Sequence, residues 1–287
     1  MTDYRIVQEN EAGYRVIQPK PSIEELAFYY KDAYHQVGTY APTYSETEKL
    51  YRFLPACEIE AMVPNGKSII DIGCGEGFIL EHFFNKGWEV AGLDFSLKGI
   101  MNHFPHLAKN VVEGDIFVEF EKIIKTGKKF DVINCSNVIE HLIDPVELLN
   151  LIKQISHPGT MIRLQLPNDF SWMQSVLEKH KLINSQYWIA IPDHLSYFNY
   201  ENLKVFLQEN QFTIHEQLGD FPIEMFLLNS SSNYNVNKST GKGAHEARML
   251  FETEMYKRSP ADFLKSRKAY GNLEIGRNII LYFRSNG

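Results

Sequence analysis

Three glycines at alternate positions follow a short apolar run in SIIDIGCGEGFIL, residues 68–80. Such a turn removes side chains and lets a ligand approach the main chain near a helix N-terminus. A nicotinamide fingerprint has the spacing GxGxxG, whose third glycine position is Phe78 here. The pattern is instead DxGxGxG, with Asp71 before the glycines. The turn is therefore predicted to bind a ligand other than a dinucleotide, the alternative being a turn that only permits tight packing.

Carboxylates also end the next two strand-like runs. Asp94 ends VAGLD, where it can accept hydrogen bonds from both hydroxyls of a ribose. Asp115 ends VVEGD, where it can accept from an adenine amino group while Ile116 covers the ring. Asp71 is close enough to the glycines to meet an ammonium group. Each acid alone is typical of a helix cap, but the ordered series indicates an amino acid, a ribose and an adenine in a row. S-adenosylmethionine (SAM) has that layout.

Short apolar runs alternate with amphipathic segments from Lys67 onward, and this alternation positions the candidate residues. The strand-like runs are residues 68–72, 88–94, 110–115, 130–136 and 160–166. Strands that alternate with helices predict right-handed crossovers and an α/β fold with a doubly wound, mostly parallel sheet. The runs at 212–219 and 278–284 are predicted to close a seven-stranded sheet. Ligands bind at the switch point of such sheets, beside the first strand-to-helix turn.

The predicted organisation has two parts. Residues 1–63 are predicted to form an N-terminal helical cap, and residues 64–287 the α/β domain. Helical spacing in the cap covers residues 21–37 and 45–62. About 58 residues, 220–277, separate the last two strands and are predicted to form a helical insertion before the last strand. Its polar part, residues 228–243, is predicted to be a mobile loop.

The composition excludes several classes of function. Of the 287 residues, 44% are hydrophobic and 23% charged, which is ordinary for a globular protein. The formal net charge of −7, without a lysine- or arginine-rich block, argues against a nucleic-acid partner. Three cysteines without CxxC spacing indicate no disulfide framework and no zinc site, and no metal is expected. Without a signal peptide or a run long enough to cross a bilayer, a cytoplasmic location without membrane insertion is expected.

Residues 67–217 resemble a class I SAM-dependent methyltransferase with the seven-stranded Rossmann-like fold. DIGCGEG resembles the first motif of that family, GLDFS the second, EGDIF the third, and FDVINCSNVIEHLIDP the fourth with its Glu-His pair. PDHLSYFNYENLKVFLQENQF resembles a segment of the subgroup that includes ubiquinone-type O-methyltransferases. The resemblance implies SAM as cofactor and S-adenosylhomocysteine (SAH) as product. It implies cofactor contacts by Gly73, Gly75, Asp94, Asp115, Ile116 and Ser136.

Two histidines are candidates for the base that a hydroxyl acceptor needs. Methyl transfer is an in-line displacement at a carbon activated by sulfonium, so positioning and water exclusion supply much of the catalysis. Histidine suits proton removal at neutral pH. His141 follows the fourth strand, and His194 lies in the loop after the fifth, which commonly lines the acceptor pocket in this fold. The alternative for His141 is a structural role, and Glu140 is expected to orient the loop or the cofactor.

Aromatic and basic residues are candidate contacts for the cofactor and the acceptor. In resembling enzymes an N-terminal helix contributes a tyrosine, so Tyr34 or Tyr40 could face the sulfonium. Trp188 and Tyr197 flank the second histidine and are candidate acceptor contacts, although most aromatic stripes belong to the core. Arg248 could meet a phosphate or carboxylate if the insertion forms a lid. A solvated helical hairpin or a homodimer contact is the alternative for the insertion.

The sequence therefore predicts O-methylation of a small-molecule acceptor. A sugar, or a nucleotide-linked or phosphorylated intermediate of surface-polysaccharide assembly, is favoured by analogy with similar bacterial enzymes. N- or C-methylation is the alternative among enzymes, with a nicotinamide oxidoreductase more remote. A non-catalytic SAM- or SAH-binding protein that regulates a partner is the alternative from another class.

Overall fold

The structure, a computed structural model, describes residues 5–9, 12–22, 24–26 and 43–286. Tyr34 and Tyr40, the tyrosines predicted to face the sulfonium, lie outside these described residues. Most of the helix predicted over residues 21–37 also lies outside them, and residues 24–26 are helical.

The described strands and helices follow the chain in an alternating order. The strands are β1 (Arg5–Glu9), β2 (Arg15–Gln18), β3 (Ser68–Ile72), β4 (Glu89–Asp94), β5 (Val111–Glu113), β6 (Val132–Ser136), β7 (Met161–Pro167), β8 (Ser196–Tyr197), β9 (Phe212–Gly219) and β10 (Asn278–Ser285). The α-helices are α1 (Glu46–Met62), α2 (Phe78–Asn85), α3 (Lys98–His103), α4 (Ile116–Lys125), α5 (Pro145–Gln154), α6 (Trp172–Lys179), α7 (Tyr200–Glu209), α8 (Gly241–Arg258) and α9 (Pro260–Asn272). No helix in the described part of the chain has the length and apolar character needed to cross a bilayer.

A seven-stranded sheet has the order β5-β4-β3-β6-β7-β10-β9. Strands β5, β4, β3, β6 and β7 are parallel, and β10 runs antiparallel between β7 and β9. The order reverses between β3 and β6, so the switch point lies beside the glycine turn. The predicted α/β fold, including the two closing strands, is confirmed.

The residues of each strand alternate between two apolar layers. On one face Ile70 and Ile133 belong to a core cluster that also includes Phe206 of α7. On the other face Ile69 and Val132 belong to a cluster formed with α1 and α2. This alternation follows from the two-residue period of a strand, and it explains why the parallel strands read as nearly continuous apolar runs.

A small antiparallel sheet, in the order β1-β2-β8, was not predicted. Arg15 pairs with Tyr197, and Val16 pairs with Ser196. Two strands therefore precede the helix α1 within residues 1–63, which the sequence predicted to be a helical cap. The pairing joins the start of the described chain to the segment that follows β7.

The insertion between β9 and β10 is built from short turns followed by α8 and α9. The prediction of a mobile loop over residues 228–243 differs from what is observed, because Asn233 and Asn235 are buried there. The Asn233 side chain donates to the Leu182 carbonyl oxygen at 2.7 Å, and Asn235 Oδ1 accepts from the Asn184 amide at 2.7 Å. These hydrogen bonds tie the insertion to the loop that precedes β8.

Candidate active site

The turn after β3 has a backbone that favours glycine. Gly73, Gly75 and Gly77 have φ angles of +70°, +54° and +82°, a region that other residues adopt only with strain. A Cβ atom on Gly73 would lie 2.4 Å from Val138 Cγ2, and one on Gly77 would lie 2.4 Å from Ile100 Cδ1. A Cβ atom on Gly75 would meet no described atom within 4 Å. Packing thus requires the outer two glycines, whereas the space at the Cβ position of Gly75 is open.

Asp94 fastens this turn to the end of β4. Its Oδ2 accepts from the Gly75 amide at 2.7 Å, and its Oδ1 accepts from the Ser96 amide at 3.0 Å. Burial raises the pKa of Asp94, against the lowering effect of the two amide hydrogen bonds. A carboxylate oxygen can accept a second hydrogen bond, so both oxygens can still receive the hydroxyls of a ribose.

Other predicted cofactor residues lie at the ends of neighbouring parallel strands. Asp115 caps α4, and its Oδ1 accepts from the Phe117 amide at 3.0 Å, while Ile116 is buried beside it. Asp71 is buried at the end of β3, where Oδ1 accepts from Asn134 Nδ2 at 2.6 Å. Burial raises the pKa of Asp71 to about 7 despite that hydrogen bond. The carboxyl ends of parallel strands share one edge, so these groups belong to one cleft.

Glu76, within the glycine turn, anchors the start of α1 and was missed by the sequence reasoning. Arg52 Nη1 of α1 lies 2.5 Å from Glu76 Oε2, and His103 Nε2 lies 3.2 Å from Oε1. The Tyr44 hydroxyl donates to the same carboxylate, and the Arg52 guanidinium lies over the Tyr44 ring. The segment that precedes α1 is therefore fastened next to the cofactor turn.

Arg163 forms hydrogen bonds to the polar side chains near the switch point. It is fully buried on β7, where Nη1 donates to Asn134 Oδ1 and to Ser136 Oγ, each at 3.0 Å. Its Nη2 donates to Gln165 Oε1 at 2.8 Å. These hydrogen bonds fix Ser136, a predicted cofactor contact. They also fix Asn134, which donates to Asp71.

The insertion supplies charges to the same buried network. Glu58 of α1 accepts from Arg163 Nε at 2.9 Å and from Arg267 Nη1 at 2.8 Å. Arg267 of α9 also donates to Glu252 of α8 at 3.0 Å. This network could not be predicted from the sequence, because its members lie up to 209 positions apart.

The two candidate catalytic histidines face one another. Glu140 and His141 lie in a short turn after β6, and His194 lies just before β8. The Leu195 amide donates to the Glu140 carbonyl oxygen at 2.8 Å, which joins the two segments. The ring centroids of His141 and His194 are 4.9 Å apart in an edge-to-face arrangement. The sequence predicted both residues separately, and the structure brings them together.

The two rings differ in charge. Burial lowers the pKa of His141, but the hydrogen bond to Asp193 and the charges of Glu140 and Asp193 outweigh it and raise the pKa to about 9. Burial, and then the charge of His141, lowers the pKa of His194 to about 4. Burial raises the pKa of Glu140 to about 7. Two imidazoles and a carboxyl group are also the donor types of a cation site.

A polar pocket of about 490 Å³ is lined by residues around β2 and by the segment after β7. Its polar lining includes Arg15, Asp169, Glu178, Gln186, Asn199 and Asn202. Tyr197 also lines the pocket, and its ring centroid lies 6.0 Å from that of His194. Among the predicted acceptor contacts, Tyr197 therefore both lines this pocket and lies near His194.

The other two predicted acceptor contacts lie elsewhere. Trp188 is buried, with its ring edge-to-face to Phe170 at a centroid distance of 5.8 Å. Arg248 of α8 donates to His245 Nδ1 at 3.1 Å and lies over the Tyr51 ring of α1. The structure thus places Trp188 in the core and Arg248 beside α1.

The chain matches known proteins over this region. The sequence profile of a family described as "Methyltransferase domain" matches residues 47–217. The ubiquinone biosynthesis O-methyltransferases of Salmonella enteritidis and Salmonella arizonae are each 28% identical to it over 116 residues, 39% of this chain and 48% of theirs. The chain spans about half the length of the curated relatives it matches.

Solved structures with a similar fold include a SAM-dependent methyltransferase from Archaeoglobus fulgidus, 20% identical, with a TM-score of 0.47. The similarity covers 81% of this chain and 94% of that chain. The plantazolicin methyltransferase BpumL, crystallised with a monoazolic desmethylPZN analog and SAH, is 17% identical, with a TM-score of 0.48. That similarity covers 93% of this chain and 91% of the other.

Proposed function

Because the chain belongs to the methyltransferase-domain family, and residues 47–217 form a class I SAM-dependent methyltransferase domain, we propose that the protein transfers the methyl group to an oxygen of a small molecule. The observation that carries the choice of oxygen is the pair of facing rings, His141 after β6 and His194 before β8. A hydroxyl acceptor benefits from a group that takes its proton, whereas an amine that is already neutral does not need one.

The carboxyl edge of the parallel strands is the proposed SAM site. The open space beside Gly75 receives the amino-acid part of SAM, with Asp71 near its ammonium. Asp94 accepts from the ribose hydroxyls, and Asp115 accepts from the adenine while Ile116 covers the ring. Ser136, fixed by Arg163, completes the contacts near the sulfonium. SAM bound in this way supplies a methyl group already activated for displacement.

The chain's own residues then position the acceptor and remove its proton. The Nδ1–H of His141 donates to the Asp193 carbonyl oxygen at 2.8 Å, which fixes the orientation of that ring. His194, half-buried against it, is the proposed proton acceptor in the absence of any cation. The hydroxyl oxygen forms a bond to the methyl carbon, the carbon–sulfur bond breaks, and SAH leaves. Glu140 and Asp193 balance the positive charge that the histidine pair gains.

The acceptor proposed is a hydroxylated molecule such as a sugar or a nucleotide-linked or phosphorylated intermediate of polysaccharide assembly. The polar lining of the pocket beside Tyr197 supports this class. The formal charge of −7 supports a small molecule in preference to nucleic acid. A cytoplasmic location, a homodimer, and a cap and insertion that close over the acceptor remain parts of this proposal.

A screen of acceptors by mass spectrometry tests the proposal. The protein is incubated with SAM and a panel of sugars, nucleotide sugars, phosphorylated intermediates and phenols. We expect one acceptor class to gain one methyl group on oxygen while SAH forms in equal amount. Methylation of nitrogen or carbon would favour the other transferase alternative. Retention of SAM without turnover on any acceptor would favour a regulatory binding protein.

A further inference from the structure

Glu140 presents an unusual buried carboxyl group. Its side chain is 2% exposed, and neither carboxylate oxygen has a hydrogen-bond partner among the residues that the structure describes. A buried polar group without a partner is costly, because it has lost its water and gained no replacement. A carboxyl group with two free oxygens, beside two imidazoles, is therefore a place where a ligand of positive charge would be stabilised.

The histidines present nitrogen atoms to the same point. The Asp193 carbonyl oxygen can only accept, so His141 Nδ1 carries the hydrogen in their 2.8 Å bond. In the neutral ring the lone pair is then on Nε2, which lies 3.9 Å from Glu140 Oε1. His194 Nδ1 is buried without a hydrogen-bond partner in the described part of the chain. One ligand atom from each of the three residues lies within 4.8 Å of the other two.

We propose that Glu140, His141 and His194 bind one divalent transition-metal cation of the Mn²⁺ to Zn²⁺ series. Two imidazoles and one carboxylate are typical ligands for these ions, whereas Mg²⁺ and Ca²⁺ prefer oxygen ligands. Ligand bonds of about 2.0–2.2 Å require the three atoms to draw together slightly on binding. The carbonyl oxygen of Asp193 behind His141 is the kind of outer partner that orients a ligating histidine. The inference replaces the expectation that no metal is bound.

A cation bound at this site would also restrict the chemical class of the acceptor. Three protein ligands leave coordination positions open, and acceptor oxygens can fill them. A bound cation lowers the pKa of a hydroxyl that it contacts, so His194 is then a ligand and no free base is needed. The acceptor class becomes molecules with a hydroxyl or adjacent hydroxyls that can reach a metal. This link to the acceptor rests on the proposed function, whereas the cation site itself does not.

Metal binding is measured on the full chain without a polyhistidine tag, stripped with a chelator and dialysed. Zn²⁺ and Mn²⁺ are titrated by calorimetry, and Co²⁺ by its visible absorption, which reports imidazole ligands. We expect one saturable site per chain. Glu140→Gln and His194→Ala should each weaken the affinity at least about tenfold, since even outer-shell changes have effects of about 10- to 100-fold.

The matched control is His106→Ala, which removes an exposed histidine that lies 2.7 Å from a carboxylate oxygen of Glu81. Its cation affinity should equal that of the wild type. All variants should bind SAH with unchanged affinity, which shows that they are folded. Absence of saturable binding in the wild type, or equal affinity in Glu140→Gln and His194→Ala, would overturn the site.

Activity separates this inference from the proposed function. If the metal-free wild type methylates an oxygen acceptor at the full rate and binds no cation, the cation site is wrong and the proposed function stands. If a cation binds through the three residues and no oxygen acceptor is methylated, the site stands and the proposed function is wrong. If the chelated enzyme is inactive and Zn²⁺ or Mn²⁺ restores turnover in wild type but not in Glu140→Gln, both are supported.

Discussion

The main-chain amide of Gly75 donates a 2.7 Å hydrogen bond to Oδ2 of Asp94. The residue that leaves the turn open to a ligand is thus held by the carboxylate that is proposed to bind the ribose. The amides of Gly73 and Cys74 both donate to the Leu93 carbonyl oxygen, at 2.8 and 3.1 Å. The turn and the end of β4 are therefore joined by hydrogen bonds, and a substitution in either one should alter the geometry of the proposed cofactor site.

Asp94→Ala should weaken the binding of SAH by about 10- to 150-fold, because hydrogen bonds to a charged group contribute about 1.5–3 kcal/mol. Calorimetry with SAH measures the change. Asp115→Ala should have a smaller effect, since Ile116 still covers the adenine. Asp144→Ala is the control, because Asp144 also accepts two backbone amides but caps α5. An unchanged affinity in Asp94→Ala would rule out the ribose assignment.

Gly75→Ala should weaken SAH binding, and its loss of folding stability alone should not account for that change. A non-glycine residue in the left-handed region costs about 1–2 kcal/mol. Gly87→Ala carries the same cost, since Gly87 has a φ of +76° and open space at its Cβ position. The two variants should have similar melting temperatures, and only Gly75→Ala should lose SAH affinity. Equal SAH affinities would mean that the main chain at Gly75 does not contact the cofactor.

His194→Ala and His141→Ala should each lower turnover about 10²- to 10⁴-fold while SAH affinity stays near that of the wild type. Steady-state kinetics with an identified acceptor, together with SAH calorimetry, measure both quantities. His157→Ala is the control, because His157 pairs with Asp131 at the opposite edge of the sheet. Full turnover in both active-site variants at neutral pH would exclude the histidine pair from catalysis.

Glu58→Gln should lower the free energy of unfolding by about 3–5 kcal/mol, because two buried guanidinium groups lose their shared counter-charge. Burial raises the pKa of Glu58, but the charges of Arg163 and Arg267 outweigh it and lower the pKa. A lowered folded-state pKa contributes stability above the unfolded pKa, about 4.3, and loses it as the pH falls through the folded value. The free energy of unfolding, measured with denaturant from about pH 7 down to about pH 3, should therefore fall with pH more in the wild type than in Glu58→Gln.

The control for Glu58→Gln lies on the same helix. Glu46 forms an exposed pair with Lys49 at 2.8 Å, and exposed pairs contribute about 0–1 kcal/mol. Glu46→Gln should therefore change the unfolding free energy by less than about 1 kcal/mol. Similar losses in the two variants would show that the buried network contributes no more than a surface pair.

Asn235→Ala should release the insertion from the loop that precedes β8. The amide of Asn184 then loses its acceptor, at a local cost of about 1–3 kcal/mol. Limited proteolysis should cut residues 231–242 faster in this variant, and acceptor should slow the cut if the insertion is a lid. In that case the KM for the acceptor rises while SAH affinity is unchanged. Unaltered kinetics in a chain that is cut faster would make the insertion purely structural.

The parallel sheet and its ligand edge could be predicted because their signals are local. Each buried parallel strand contains a short apolar run, and the first three runs end in an acid or continue into the glycine turn. His141 and His194 could be selected singly, since each follows a strand on the same edge. Their 4.9 Å separation could not be predicted, because it depends on the Leu195–Glu140 hydrogen bond between segments 55 positions apart.

The elements that were missed depend on distant partners. Strands β2 and β8 have four and two residues, too few for a periodic signal, and they pair across about 180 positions. Asn233 and Asn235 lie in a polar segment that resembles a linker in composition. In the structure, Asn233 donates to a backbone carbonyl oxygen of another loop, and Asn235 accepts from a backbone amide of that loop. Arg163 interrupts an apolar run, and its role is visible only when Glu58 is placed against it.

The position of β10 decides how this chain can be recombined with others. The match to the family ends at residue 217, yet β10 lies between β7 and β9, and Arg267 supplies a buried charge opposite Glu58. A chimera that ended at residue 217 would leave two strand edges unpaired and Glu58 with one cation instead of two. A transferable unit therefore has to extend through β10, and it has to include the insertion between β9 and β10.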